Sequence, residues 1–110
     1  MDRIVLYRSE PTAGSGKWWK TDAGTENNGD IRIISGDGKQ EWHIVIAADD
    51  MKALKAALLR HLPDAPENAA DDALALVAEK FTARDGGENP YDAILSFLAR
   101  ENIRHKTTVW

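Results

Sequence analysis

The chain has 110 residues and a mass of 12.2 kDa, the usual size of one domain with one hydrophobic core. Hydrophobic residues make up 43% of the sequence and cysteine is absent. This composition excludes a disordered protein, a disulfide framework and a thiolate metal site. The apolar run at residues 4–7 is too short for a signal peptide, and no run reaches the length of a membrane span. We therefore expect residues 1–110 to form one soluble, cytoplasmic domain.

The net charge of −4 is unevenly distributed along the chain. Most of the acid lies within residues 64–92, where eight carboxylates stand against only Lys80 and Arg84. A nucleic-acid-binding protein needs a basic surface to displace the counterions of phosphate. The distribution therefore argues against nucleic acid and favours a basic protein partner, although such a stretch also serves simply to keep a small domain in solution.

The first half of the sequence predicts four strands of an antiparallel meander. The segments are rich in β-branched and aromatic residues, and the last of them alternates, with Trp42, Ile44 and Ile46 on one face. Between them lie turn-forming segments, of which Asp37-Gly38 is the best hairpin signal. The predicted strands are residues 3–9, 17–21, 30–35 and 41–47.

The spacing of apolar residues changes to that of helices over residues 48–102. The first of three predicted helices has Asp49 as its N-cap, and the second has Asn68. The third starts with Asn89, followed by Pro90 at the first helical position. The predicted buried stripes are Met51, Leu54, Leu58 and Leu62; Leu74, Val77, Ala78 and Phe81; and Tyr91, Ile94, Leu95 and Leu98.

The C-terminal segment predicts a helix cap and then a closing strand. Asn102 suits the left-handed cap conformation, and Ile103 stands where a Schellman motif makes its apolar contact. Residues 103–110 predict a strand that joins the sheet, because a loose tail would leave Val109 and Trp110 in water. The expected fold class is α+β: an antiparallel sheet of four to five strands with three helices packed mainly on one face.

The segment GSGKWWK at residues 14–20 is similar to the end of a phosphate-binding loop but lacks the residues that such a loop requires. A Walker A loop needs glycine where this chain has Pro11, and serine or threonine where it has Trp18. The residues after Lys17 predict a strand, so no helix N-terminus is available to hold phosphate. No nucleotide or other cofactor is predicted.

The adjacent residues Trp18 and Trp19 must point to opposite faces of a strand. One of them can pack beneath the helices, which leaves the other at least partly exposed. The exposed tryptophan is either covered by a loop or anchors a partner, since tryptophan is enriched at interface hot spots.

Catalytic and metal-binding patterns are scarce. His43, His61 and His105 lack the spacing that would place two of them on one helical face. Residues 22–30 contain oxygen ligands but lack the central glycine and final glutamate of an EF-hand loop. No enzyme activity and no metal are predicted, and a histidine–carboxylate site assembled by folding is kept as the weakest alternative.

The second half of the chain has a recognisable layout: EWHIVIAADDMKALKAALL, then DDALALVAEKF, then FLARENI and a closing strand with a terminal tryptophan. Over residues 41–110 this layout resembles small bacterial immunity proteins encoded beside polymorphic or contact-dependent toxins. The resemblance implies a cytoplasmic, non-catalytic inhibitor that neutralises the C-terminal, nuclease-type domain of a cognate toxin. It carries over no active-site residue, and it leaves the toxin's identity open.

An inhibitor of a basic nuclease associates faster when its carboxylates face the positively charged surface with which the nuclease binds nucleic acid. The predicted contact residues are therefore the two tryptophans and the carboxylates of the acidic turns: Trp18, Trp19, Asp64, Glu67, Asp71, Asp72, Asp85 and Glu88. The main alternative is a cytoplasmic adaptor of phage or regulatory type that binds another protein. A small hydrolase is the third candidate function.

Overall fold

The computed structural model describes residues 3–9, 19–63, 72–82 and 89–110. All five strands form one antiparallel sheet in the order β1-β2-β3-β4-β5. The predicted α+β class is confirmed. In chain order the elements are β1 (Arg3–Ser9), β2 (Trp19–Thr25), β3 (Ile31–Gly36), β4 (Glu41–Ile46), α1 (Met51–His61), α2 (Ala73–Phe81), α3 (Tyr91–Arg100) and β5 (Lys106–Val109).

The sheet has one buried face and one face of mixed polarity. The strand register places Ile33 between Ala23 and Ile44, and all three side chains are fully buried against the helices. We call this side the helix face. The neighbouring residues in each strand, such as Ile34 and His43, point to the opposite side of the sheet. We call that side the far face. The two faces therefore differ in role: the helix face forms the core, and polar contacts join the side chains of the far face.

The three helices each add an apolar stripe to the core on the helix face. Each stripe includes one buried residue that the prediction omitted: Ala57 in α1, Leu76 in α2 and Phe97 in α3. Within the described ranges, no helix has the length and apolar character that crossing a bilayer demands. The buried helical residues are Leu54, Ala57 and Leu58; Leu74, Leu76, Val77 and Phe81; and Ile94, Phe97 and Leu98. The predicted stripe residues that are only partly buried are Met51, Leu62, Ala78, Tyr91 and Leu95.

Strand β2 differs most from its predicted bounds. It continues to Thr25 through residues that the sequence assigned to a turn, and residues 17 and 18 lie outside the described ranges. Pairing with β1 on one side and β3 on the other satisfies its backbone groups, which overrides a composition poor in strand formers. Gly24 also fits a close approach: a Cβ there would lie 2.7 Å from the guanidinium of Arg3.

The start of α1 also differs from the prediction. Residues Ala48–Asp50 form a 3₁₀ turn ahead of the helix, so Asp50 rather than Asp49 precedes α1. The Asp50 side chain does not cap the helix; its Oδ1 accepts a hydrogen bond from Arg104 Nε at 3.1 Å. The prediction of Asp49 as N-cap is wrong, because the chain leaving β4 tightens by one turn before the helix begins.

Helix α2 is capped by Asp72, which was predicted as part of the acidic contact surface. Asn68, the predicted cap, lies outside the described ranges. Asp72 occupies the N-cap position, and its Oδ1 accepts hydrogen bonds from the backbone N–H groups of Leu74 at 3.0 Å and Ala75 at 3.3 Å. Asp72 therefore has a structural role that substitution by lysine or alanine would remove.

The end of α3 follows the predicted chemistry. Asn102 has φ of 56°, the left-handed conformation. The N–H of Ile103 donates to the carbonyl of Leu98 at 2.9 Å, and the Ile103 side chain is buried. The Schellman-type cap is confirmed.

The closing strand joins the sheet, but not for the predicted reason. β5 covers residues 106–109 of the predicted 103–110 and pairs with β4, and Trp110 exchanges backbone hydrogen bonds with Glu41 at 2.8 and 3.1 Å. However, 59% of Val109 and 71% of Trp110 are exposed. Backbone hydrogen bonds rather than apolar burial therefore hold the tail.

Candidate partner-binding site

A pocket of about 230 Å³ lies between one end of the sheet and the start of α3. The meander brings its strand residues together, because Ser35 in β3 pairs with Trp42 at the start of β4 and with Thr21 near the start of β2. We call this cavity the Trp pocket. Its lining residues are Trp19, Ser35, Trp42, Asn89, Tyr91 and Asp92.

The base of the Trp pocket is a closed set of hydrogen bonds. Thr21 Oγ1 donates to Asn89 Oδ1 at 2.7 Å, and Asn89 Nδ2 donates to Ser35 Oγ at 3.3 Å. Since the single hydroxyl hydrogen of Thr21 is used on Asn89, Ser35 must be the donor in the 2.8 Å contact between Ser35 and Thr21. Ser35 Oγ also accepts from Trp19 Nε1 at 2.7 Å. These bonds fix the positions of both Trp19 and Asn89.

Asn89 ties this network to α3. Its Oδ1 also accepts from the N–H of Tyr91 at 3.1 Å, and the carbonyl of Pro90 accepts from the N–H of Ile94 at 2.9 Å. Asn89 therefore serves the start of the helix as predicted, but Pro90 lies at the N-cap position rather than the first helical one, and the regular helix begins at Tyr91. One side chain both caps α3 and closes the base of the pocket.

We expect Asn89→Ala to lower the free energy of unfolding by about 1–3 kcal/mol. The change removes the acceptor of the Tyr91 N–H and one of the two partners of the buried Thr21 hydroxyl, which keeps only its contact with Ser35. Urea denaturation measures the effect. Asn28→Ala is the matched control, because it removes a similar bond, from the Asp30 N–H at 3.1 Å, in an exposed turn. Equal losses in the two variants would contradict a stabilising role for the buried network.

The walls of the pocket are aromatic. The rings of Trp19 and Trp42 are stacked, with centroids 5.2 Å apart and planes inclined by 23°. Both indoles are half-buried and both line the cavity, so they keep apolar surface in contact with solvent.

Burial raises the pKa of the Tyr91 phenol, and the negative charge of Asp92 raises it further. The phenol therefore stays protonated at neutral pH.

Asp92 supplies the negative charge at the pocket. It is exposed and lies in the first turn of α3, where it also favours the positive end of the helix. Asp92 forms no ion pair within the part of the chain that the structure describes. Other carboxylates do pair with arginine: Asp22 with Arg3, Glu26 with Arg32, Asp50 with Arg104 and Glu101 with Arg60.

The predicted contact residues fall into three groups. Trp19 lines the pocket, and Asp72 caps α2. The sequence did not point to Trp42, Tyr91 and Asp92 as site residues. Periodicity placed Trp42 on one face of its strand with Ile44 and Ile46, and it placed Tyr91 in a buried stripe. Only the strand register brings Trp42 beside Trp19. The remaining predicted contact residues lie outside the described ranges: Trp18, Asp64, Glu67, Asp71, Asp85 and Glu88.

On the far face, His43 is held in one tautomer by its neighbours. Its ring is buried, with Nδ1 2.9 Å from Arg32 Nη1 and Nε2 3.1 Å from Glu41 Oε1. A guanidinium can only donate, so Nδ1 accepts and Nε2 carries the hydrogen that Glu41 receives. The Trp110 ring lies against the same histidine at 5.4 Å. These contacts fasten β4 to β3 and to the C-terminal residue.

The other two histidines stand apart from His43 and from each other. His61 Nε2 lies 2.6 Å from Glu101 Oε1, and this hydrogen bond, followed by the one from Arg60, lowers the pKa of Glu101. His105 Nδ1 donates to the carbonyl of Ile103 at 2.9 Å. Each histidine thus has its own partners.

The described ranges contain no group of three or more histidine, aspartate or glutamate residues placed to hold a metal ion. In the described ranges, the side chains best placed to contact another molecule are instead the aromatic walls of the Trp pocket and Asp92 beside them. No protein-family model, curated protein or solved structure was found to match the chain.

Proposed function

We propose that the protein is a non-catalytic inhibitor of the immunity type, which binds a basic toxin domain through a surface that includes the Trp pocket. The observation that carries the proposal is the stacked, half-buried pair of Trp19 and Trp42 beside Asp92, whose carboxylate has no ion-pair partner among the residues that the structure describes. Trp19 is partly exposed and fixed by its hydrogen bond to Ser35, so it loses little freedom on binding, as an interface anchor should.

The sequence next to the pocket supports a basic partner. Trp18 directly precedes Trp19, and Asp85 and Glu88 lie in the segment that leads into Asn89. The acid-rich stretch of residues 64–92 therefore ends at a residue that lines the pocket. An aromatic anchor next to excess negative charge suits a partner whose own surface is positively charged.

The proposed inhibition is stoichiometric, and its test is a titration of the toxin domain encoded by the neighbouring gene. We expect the domain's activity to fall linearly to an end point at one equivalent of this protein, with no change on longer incubation, because the inhibitor does not turn over. A stable complex in which the toxin domain keeps its activity would instead identify an adaptor. No complex at micromolar concentrations would contradict both functions for this pair.

The same complex tests the role of charge. We expect Asp64→Lys/Glu67→Lys to slow association by about tenfold at low salt, and by much less at 1 M salt, where the Debye length falls to about 3 Å. Asp71 and Asp72 are left unchanged, since Asp72 caps α2. Stopped-flow mixing at two ionic strengths measures both rates.

The control for charge reverses two exposed carboxylates outside the acidic turns, Asp49 ahead of α1 and Glu79 within α2, as Asp49→Lys/Glu79→Lys, with the same change in net charge. Equal slowing in the two double variants would mean that only net charge matters. Unchanged association of Asp64→Lys/Glu67→Lys would restrict the acidic segment to a role in solubility.

A further inference from the structure

The Trp pocket has the size of a receptor for one side chain. Its volume of about 230 Å³ lies below the roughly 300–1,000 Å³ that is usual for pockets that enclose a whole small-molecule ligand. It opens beside the N-terminal turn of α3, so a side chain that projects from a protein surface can enter it.

The hydrogen-bond acceptors at the base of the pocket are already occupied. Ser35 Oγ accepts from Trp19 and Asn89, and Asn89 Oδ1 accepts from Thr21 and from the Tyr91 N–H. An oxygen with two such bonds has no acceptor position left. The ring surfaces of Trp19 and Trp42 and the residue Asp92 also line the pocket, and none of the hydrogen bonds at its base engages them.

The charge of the lining selects among possible occupants. An anion would meet the negative Asp92, and the described residues that line the pocket include no lysine, arginine or histidine to attract it. An apolar side chain would contact the rings but gain nothing from the carboxylate. A cation gains from both, because ring faces attract cations and a carboxylate attracts them further.

We propose that the Trp pocket binds the cationic end of one arginine or lysine side chain of the partner, a refinement that rests on the proposed function. Arginine suits the site better than lysine. Its planar guanidinium can stack on an aromatic ring and still direct hydrogen bonds to Asp92, whereas an ammonium group is compact and more strongly hydrated.

The test uses N-acetyl-arginine methylamide as the probe and N-acetyl-citrulline methylamide as its neutral counterpart of nearly the same shape. Two-dimensional ¹H–¹⁵N NMR follows the indole N–H signals of the intact protein. We expect the arginine probe to shift the signals of Trp19 and Trp42 in a saturable way and to leave Trp110 unshifted. The citrulline probe should bind about threefold to tenfold more weakly.

Two variants with the same loss of charge separate the pocket from the rest of the surface. Asp92→Asn should weaken binding of the arginine probe by about threefold to tenfold. Asp49→Asn should leave it unchanged, because Asp49 follows the opposite end of β4 and does not line the pocket. The dispersion of the backbone amide signals checks that both variants are folded.

Equal binding of the two probes, equal effects of the two variants, or the absence of a saturable shift at Trp19 and Trp42 would each overturn the cation site. None of these results depends on a toxin domain, so they leave the inhibition titration to be judged separately. Conversely, a selective response to the arginine probe together with no toxin complex would keep the cation site and overturn the proposed function.

Discussion

Replacement of Ile33 by alanine should lower the free energy of unfolding by about 2–5 kcal/mol. Ile33 lies in the central strand β3, is fully buried, and pairs with Ala23 on one side and Ile44 on the other. Removing three carbon atoms there leaves a cavity under the helices that the sheet cannot close, because its neighbours are fixed by ladder hydrogen bonds. Thermal denaturation should show a fall in Tm of at least about 8 °C.

The adjacent residue Ile34 provides the matched control. It has the same side chain in the same strand, but it points to the far face and is only partly buried. Ile34→Ala carries the same loss of strand propensity without opening the core, so we expect a loss below about 1.5 kcal/mol. Equal losses at the two positions would contradict the assignment of the core to the helix face.

Replacement of Trp19 by alanine should raise the dissociation rate of the toxin-domain complex by about 30-fold or more, which corresponds to about 2 kcal/mol. The indole forms one wall of the Trp pocket and supports the Trp42 ring through their stacking contact. The substitution changes no charge, so the increase should be nearly the same at low and high salt. Surface plasmon resonance at two ionic strengths measures it.

Trp110 is the control for the loss of a large aromatic side chain. It is 71% exposed and lies on the far face against His43, away from the pocket. We expect Trp110→Ala to change the dissociation rate by no more than about twofold. If Trp110→Ala released the complex faster than Trp19→Ala, the contact surface would lie on the far face and the pocket would have no part in binding.

The sequence alone determined the features whose causes are local. Alternation of apolar residues marked the strands, as in β4, and helical spacing marked the three helices. Asn102 and Ile103 predicted the end of α3, because a left-handed residue followed by an apolar one is a short-range requirement of the Schellman cap. Asn89 marked the start of the same helix for a similar reason. Each of these patterns needs only a few neighbouring residues.

The tertiary structure decided the features that depend on which segments meet. Residues 22–24 are strand because partners on both sides satisfy their backbone, and Asp50 binds Arg104 because folding brings the two together. The tail was predicted to join the sheet by burying Val109 and Trp110, but its backbone bonds to β4 hold it and both side chains stay exposed.

The Trp pocket shows the same division at the candidate site. Trp19 and Trp42 are both visible in the sequence, yet neither the stacking of their rings nor the approach of Asn89 and Asp92 follows from local spacing. They meet because the register of β2, β3 and β4 aligns one end of each strand, and because Asn89 fixes the start of α3 against that end. Register and helix placement are settled by the packing of the whole core, and only the folded chain contains that information.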